Sequence, residues 1–530
     1  MKSLLGFSLV APLLLAACTS IGDPGDAGPA DRAGRWLALV QTLSSDAMEG
    51  RAAGTPGHQR AVDHVVAELQ RLGLEPAGTD GFLQPVALVE QRIDYQASSA
   101  SLTAAGAAAD VEMPATMTVA AGRPLPESVD APLVFIGYGL HIPQRGHDDL
   151  SGIDLDGKIA VFLSGGPEAI EGSAKAHARA QRTRLLAERG AVGSIDISTP
   201  SQLESPWASS VRSADRPAMF LADPALRSEP GPFLAMRWNP ADAERLFAGS
   251  DRSFADIVRA ADASGPIAGF DLNKRLNVRL ATSRVDSTSP NVVARLPGRS
   301  GARAGEHVVL TAHLDGVGRS AAASGDAISN GALDNAAGVA ALIDIAERLK
   351  RRRPLRSILF VFVTAEERGL LGSRYFARRP SVPARSIVAN LNYDMALPIF
   401  PLTSVTVLGA EESSIGTIAR QIGAEMGLPL VPDAFPNRNS FIRSDQYAFI
   451  EQGIPSAAFK FGFAADTPEA EIERTFRATR YHNLNDDLTI PIFPLDEIRL
   501  HDFIAELALR IANGESRPTW NAASVFARRP

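Results

Sequence analysis

An α/β protein built around a central, mostly parallel sheet flanked by helices is the fold this sequence predicts. Three observations predict it: near-continuous apolar runs of strand length, helix-length runs alternating with them, and polar residues gathered where the apolar runs stop. The strand-like runs are HVVLTA (307–312), RSILFVFVT (356–364), SIVANLNYD (386–394), SVTVLG (404–409) and PSAAFKF (455–461). Between them stand helical runs such as GVAALIDIAERLKRR and SSIGTIARQIGAEMGL. Strands covered on both faces read as continuous rather than alternating apolar runs, so the sheet is expected to lie between helical layers.

Upstream, a helical pattern dominates from about Arg35 to Leu88. In HQRAVDHVVAELQRLGL apolar residues recur at spacings of three and four, and Gly73 offers a stop. The texture changes between about residues 101 and 270, where Ala, Gly and Pro are enriched. Short β-like runs there (APLVFIGYGL, GKIAVFLSG) and one helix from about Ala174 to Arg189, ahead of GAVGSIDIS, read as an inserted domain of mainly strands. The expected organisation is therefore a first part of the main domain at 35–100, an insertion at 101–270, the remainder of the main domain at 271–515 and a tail at 516–530. A length of 530 residues accommodates about three domains.

Composition narrows the function classes. Hydrophobic residues at 45% and charged residues at 21% suit a soluble globular protein, and a net charge of −7 with only local basic clusters argues against a nucleic-acid surface. The cluster Lys350 to Arg353 closes a helix, where cations complement the dipole. The opening MKSLLGFSLVAPLLLAACTS has a positive Lys2, a short apolar segment and small residues before Cys18, the pattern of an export signal over residues 1–17. Its LAAC box resembles the bacterial lipoprotein signal, in which the cysteine is lipidated and becomes the mature N-terminus. Thr19 follows instead of the Asp that marks inner-membrane retention, so an outer-membrane anchor facing the periplasm is expected. Residues 18–34 read as a flexible tether. Beyond Cys18 the chain has no thiol, which excludes disulfides, thiolate nucleophiles and Cys-type zinc sites from the folded part. Any metal must be held by His, Asp and Glu.

In open α/β sheets ligands gather beyond the carboxyl ends of the strands. Here TAHLDG places His313 and Asp315 at one such end, and GALDNAAG places Asp334 before a helix. TAEERG supplies Glu366 and Glu367, NLNYDMA supplies Asp394, and TRYHNLNDD adds His482. Taken singly, Asp334 is a helix cap, His313 a core histidine and Asp394 a turn former. Jointly they are harder to explain, because the other seven of the nine histidines lack such neighbours. Imidazole and carboxylate without thiolate suit zinc, with cobalt or manganese as alternatives, and an aspartate can bridge two ions. Two-metal sites hold their ions about 3.5–4 Å apart and clamp both the attacking and the departing group of a hydrolysis. Such a reaction also needs a base for the attacking water. Adjacent residues point in different directions, so Glu366 and Glu367 cannot be equivalent ligands; one on metal and one on water is the economical division.

HLD, GALDNAAGVA, TAEERGLLGS, NYDMA and YHNLNDD, in this order and spacing, closely resemble the co-catalytic zinc exopeptidases of the bacterial aminopeptidase and transferrin-receptor-like family. The resemblance covers most of residues 35–90 and 285–510, including LSSDAMEGRAAGTPGHQRAV and RSDQYAFIEQGIPSAAF. DLDGKIAVFLSGG and LLAERGAVGSIDI resemble, more diffusely, the protease-associated (PA) domain inserted in many members. The resemblance implies a dizinc aminopeptidase acting on peptides. His313 and Asp394 would bind one zinc, Glu367 and His482 the other, and Asp334 would bridge them. Glu366 would be the general base, Asp315 would orient His313, and Tyr481 would stabilise the tetrahedral oxyanion. Two departures, Gln446 and Gly316 where relatives often carry histidine, bear on substrate contacts more than on metal chemistry. Alternatives on the same scaffold are a dizinc carboxypeptidase, a phosphomonoester hydrolase, or a non-catalytic binding protein of the kind that has lost its ligands.

Overall fold

The computed structural model describes residues 27–199, 206–227, 231–263, 267–299, 301–320 and 326–527. The expected export signal at 1–17, Cys18 and most of the expected tether lie outside them. Helix α1 spans Pro29–Leu43 and α2 spans Pro56–Leu72. Strand β1 (Leu83–Ala104) leads into a region with β2 (Ser128–Phe135), β3 (Ile159–Leu163), α3 (Gly172–Glu188), β4 (Gly193–Ile197) and β5 (Leu234–Trp238). Strand β6 (Phe270–Leu296) returns the chain to β7 (His307–His313), α4 (Ala337–Lys350), β8 (Ser357–Val363) and α5 (Leu371–Arg378). Then follow β9 (Ile387–Asn392), β10 (Val405–Leu408), α6 (Ile415–Met426), β11 (Ser456–Phe461), α7 (Pro468–Thr479) and α8 (Pro494–Asn513).

The central sheet runs β10-β11-β9-β7-β8-β6. Its four middle strands are parallel, while β6 and β10 pair antiparallel at the two sides. Side chains alternate across a strand, and β8 shows the result. Ile358, Phe360 and Phe362 face a core shared with Trp36, Val65, Leu342 and Ile504, whereas Leu359, Val361 and Val363 face a second cluster with Phe376 and Phe449. Both faces are thus covered, which is why the strand has no polar alternation.

Local chemistry sets the helix ends. Thr55 accepts a hydrogen bond from the His58 N–H and Pro56 opens α2, while Gly73, at φ +68°, ends it in the left-handed conformation that glycine adopts without cost. Helix α1 starts at Pro29, inside the stretch expected to be a flexible tether. The reason is tertiary: Arg32 donates to Asp344 at 3.0 and 2.6 Å and to Asp502 at 2.7 Å, tying α1 to α4 and α8.

Strands β1 and β6 form one long antiparallel ribbon, from Leu83 opposite Val292 to Ala104 opposite Lys274, with a register shift between Arg279 and Ala281. The ribbon carries the chain from the first core to another, where Phe135, Val161, Ile195, Trp238 and Phe247 pack together. There β2, β3, β4 and β5 are parallel neighbours. This region was expected to be mainly strand with one helix from about Ala174 to Arg189, which is α3; it also holds the unexpected helices Trp207–Ala214 and Phe254–Asp262. A reciprocal capping box between Ser253 and Asp256 starts the last of these. No helix among the described residues is long and apolar enough to cross a membrane.

Candidate metal centre

Three of the four parallel strands of the central sheet deliver polar residues to the same edge. Strand β7 ends in His313; the chain leaves β8 through Ala365 to reach Glu366 and Glu367; β9 is followed by Asp394. Asp334 sits in the π-type turn Ala332–Ala336 that opens α4, and His482 lies just beyond α7. Four non-glycine residues at this edge, Arg51, Ala365, Met395 and His482, have positive φ. Such conformations are unfavourable for L-residues and gather where the surrounding fold holds a site in place.

The five predicted ligands form two groups with a common member. His313, Asp334 and Asp394 make one; Asp334, Glu367 and His482 make the other; within each, the donor atoms lie within 4.8 Å of one another. His313 Nε2 is 3.1 Å from Asp334 Oδ1 and 3.5 Å from Asp394 Oδ1. His482 Nε2 is 3.3 Å from Asp334 Oδ2 and 2.9 Å from Glu367 Oε2. One aspartate therefore offers one oxygen to each histidine.

Asp315 is fully buried, but its carboxylate lies 4.0 Å from His313 Nδ1. The orienting contact comes from its main-chain carbonyl, which accepts from Nδ1 at 3.1 Å. A carbonyl can only accept, so Nδ1 carries a hydrogen and Nε2 is the nitrogen that faces the site. The Asp315 carboxylate instead accepts the backbone N–H groups of Glu366 at 3.0 Å and Glu367 at 3.3 Å, holding the turn that separates their side chains. Glu366 itself makes no side-chain hydrogen bond to any described residue. Tyr481 stacks on the His482 ring at 3.8 Å between centroids, with the Arg477 guanidinium carbon 4.9 Å from the Tyr481 ring centroid.

Three positioning residues went unnoticed in the sequence. Asp486 accepts the backbone N–H groups of Leu333 and Asp334, both at 3.0 Å, and so fixes the aspartate common to both groups; the acidic pair closing YHNLNDD was its only signal. Buried Arg51 donates to the carbonyls of Leu43, Leu314, Asn330 and Gly331 at 2.6–3.1 Å, clamping the loop after β7 to the turn before α4. Asp445, also buried, adds its charge beside Glu366. The two departures from the resembled pattern are structural here. Gln446 donates to the carbonyls of Ser440 and Phe441 and accepts from Asn392, bracing the loop against β9. A Cβ on Gly316 would meet the Gly50 carbonyl at 2.8 Å, so the close approach of these two loops needs glycine.

The electrostatics are those of a site short of positive charge. Burial, reinforced by Asp445, Asp394 and Glu367, pushes the Glu366 carboxyl well above the usual carboxylate range. Burial likewise raises Asp315 to about 6 and Asp445 and Asp486 to about 7. Burial opposes a charged His482, but Asp334 and Glu367 hold its proton up to about 10; for His313, burial is likewise opposed by Asp334 and Asp394, which keep its proton affinity well above that of a free imidazole. The buried atoms His313 Nε2, Asp394 Oδ1 and Glu367 Oε1 have no aligned hydrogen-bond partner among the described residues. Buried polar atoms without partners are costly, and a cation shared by these oxygens and nitrogens removes that cost. The donor set is one that fits zinc.

Residues 291–499 match Peptidase family M28. The probable leucine aminopeptidase 2 of Aspergillus oryzae is 28% identical over 218 residues, 38% of this chain and 40% of that protein. The corresponding protein of Aspergillus fumigatus is 29% identical over 196 residues, 35% of this chain and 36% of its own. The chain thus spans about two fifths of the length of the curated relatives it matches. Among solved structures, an aminopeptidase from Aneurinibacillus sp. strain AM-1 superposes with a TM-score of 0.51 at 18% identity, covering 94% of this chain and 98% of that one. That likeness is one of fold, and it extends across both cores. The matched segment holds every residue of the two candidate ligand groups. That segment is thus similar to peptidase family M28, and the fold of the chain is similar to that of a solved aminopeptidase.

Proposed function

We propose that this chain is a zinc aminopeptidase that removes N-terminal residues from peptides, using two co-catalytic zinc ions. The observation carrying the proposal is Asp334, with one oxygen 3.1 Å from His313 and the other 3.3 Å from His482. His313 and Asp394 would hold one ion, Glu367 and His482 the other, and Asp334 both. When bound, such a pair polarises the scissile carbonyl and makes water a nucleophile near neutral pH. Glu366 takes the proton of the attacking water and returns it to the departing amine; its raised proton affinity and unengaged carboxylate suit both steps. Tyr481 keeps its phenolic proton, because burial and the charges of Asp334, Asp394 and Glu367 oppose ionisation, and so can donate to the developing oxyanion. The substrate's free ammonium is drawn to the acidic edge of the centre.

The region between β1 and β6 is read as a protease-associated domain that roofs the cleft. In support, Glu171, Gly172 and Ser173 at the start of α3 border a cavity of about 460 Å³ together with Gly409 to Glu412 and Pro436. Export and lipidation at Cys18, with attachment to the outer membrane on its periplasmic side, complete the reading.

Two measurements test it. Purified protein is expected to carry two zinc ions per chain and to hydrolyse aminoacyl anilides while ignoring their N-blocked counterparts. Equal cleavage of blocked substrates would sink the aminopeptidase assignment. Expressed with its leader, Cys18→Ala should move from the membrane to the soluble fraction; unchanged membrane association would rule out an anchor at Cys18.

A further inference from the structure

Beside the metal centre lies a second, smaller cavity, of about 60 Å³, bordered by Asp394 and Tyr481 and by four cations: Arg438, Arg443, Lys460 and Arg477. A pocket for an aliphatic side chain has little use for four positive charges. Part of that charge is balanced. Buried Glu473 takes Arg438 on both carboxylate oxygens, at 2.7 and 2.6 Å, and Arg477 at 2.6 Å, so one carboxylate serves two guanidinium groups. Asp394 is committed to the metal centre, and Asp433 borders the neighbouring cavity shared with Lys460 and Arg438. Arg443 is exposed and forms no ion pair with a described residue. The ammonium of Lys460, on β11, has neither a hydrogen bond nor an ion pair among the described residues. Burial, with Arg477 adding to it, lowers its ammonium to about 8, still cationic at neutral pH. Asp394, Asp433 and Glu473 act on it only through space, and none accepts a hydrogen bond from the ammonium; a desolvated cation without a direct partner is unfavourable, and this one faces a cavity beside the candidate metal centre.

We propose that this cavity binds a carboxylate carried by a substrate residue next to the scissile bond, so that the enzyme favours peptides that are acidic at the cleaved end. The inference rests on the peptidase reading above and names its substrate class. Because Asp394 and Tyr481 border the cavity and also belong to the centre, a group bound there is within one residue of the cleaved amide. The guanidinium forks and the ammonium match a carboxylate in charge and in donor geometry, and the volume suits a carboxylate on a short stem. Two sources supply that chemistry: the side chain of an N-terminal Asp or Glu, and the free α-carboxylate of a dipeptide.

Isosteric pairs separate the sources. The zinc-loaded enzyme is expected to prefer α-glutamyl over α-glutaminyl anilide by about tenfold or more in kcat/KM if the side chain is bound, or free dipeptides over their C-terminal amides if the terminus is bound. Lys460→Met should bring that acid-over-amide ratio down towards unity, a fall of about tenfold, mainly through KM, and Lys460→Arg should restore part of it. Calorimetric binding of the same pairs to zinc-loaded Glu366→Gln protein reads the preference without turnover. No preference for the acid in either pair, in turnover and in binding, overturns the carboxylate subsite even if neutral anilides are cleaved. Acid-selective binding by zinc-loaded protein that cleaves no free-amine substrate would instead keep the subsite and overturn the aminopeptidase reading.

Discussion

Glu366→Gln is expected to lower kcat by about 10²–10⁴-fold while leaving metal content and thermal stability near those of the parent protein. The substitution preserves side-chain size and removes only the capacity to accept a proton. The backbone N–H of residue 366, not its side chain, makes the hydrogen bond to Asp315, so the turn that aims residues 366 and 367 apart survives the change. Glu367, whose Oε2 lies 2.9 Å from His482, keeps its place in the ligand group. Steady-state turnover of an aminoacyl anilide, metal analysis and a melting curve on the same preparation check all three expectations. Parental turnover by this variant would mean that the base is another residue.

Asp334→Ala is expected to act through metal instead of proton transfer. Asp334 is the one residue common to both candidate ligand groups, so its loss removes an oxygen from each. Losing even an outer partner of a metal ligand weakens binding by about 10–100-fold, and losing a shared ligand should exceed the upper end of that range for both ions. After dialysis the variant should hold fewer than one zinc per chain and show no turnover above background. The main-chain N–H of residue 334 still bonds to Asp486, so the turn before α4 is retained and the defect is confined to the charge and oxygens removed. Competition with a chromophoric chelator measures the loss; two ions retained at parental affinity would exclude Asp334 as the bridge.

Much of this centre was legible because apolar continuity marks where a buried strand stops. HVVLTA, RSILFVFVT and SIVANLNYD each become a strand whose last apolar residue precedes a site residue by at most a few positions, which is how His313, Glu366, Glu367 and Asp394 were found. Arg51 was not legible in the same way. In DAMEGR it looks like any surface arginine, and only the approach of residues 314, 330 and 331 to its guanidinium makes it a clamp. Asp315 shows a subtler limit. Its neighbourhood to His313 was evident, but which of its oxygens does the orienting depends on how the chain turns after β7. The start of α1 at Pro29 was hidden for the same reason, since its order comes from Arg32 meeting Asp344 and Asp502, hundreds of residues away.

By itself the sequence determined the layered α/β fold and the chemical type of the centre. Period and apolar continuity are local properties, and a chain with no thiol beyond Cys18 leaves only imidazole and carboxylate to hold a metal. Tertiary structure alone decided how Asp334 divides its two oxygens, which backbone groups hold the Glu366–Glu367 turn, and that four cations from the loop before Gln446, from β11 and from α7 line one small cavity beside the centre. Those are distances between residues far apart in the chain, and the parallel sheet sets them by bringing the ends of its strands to one edge.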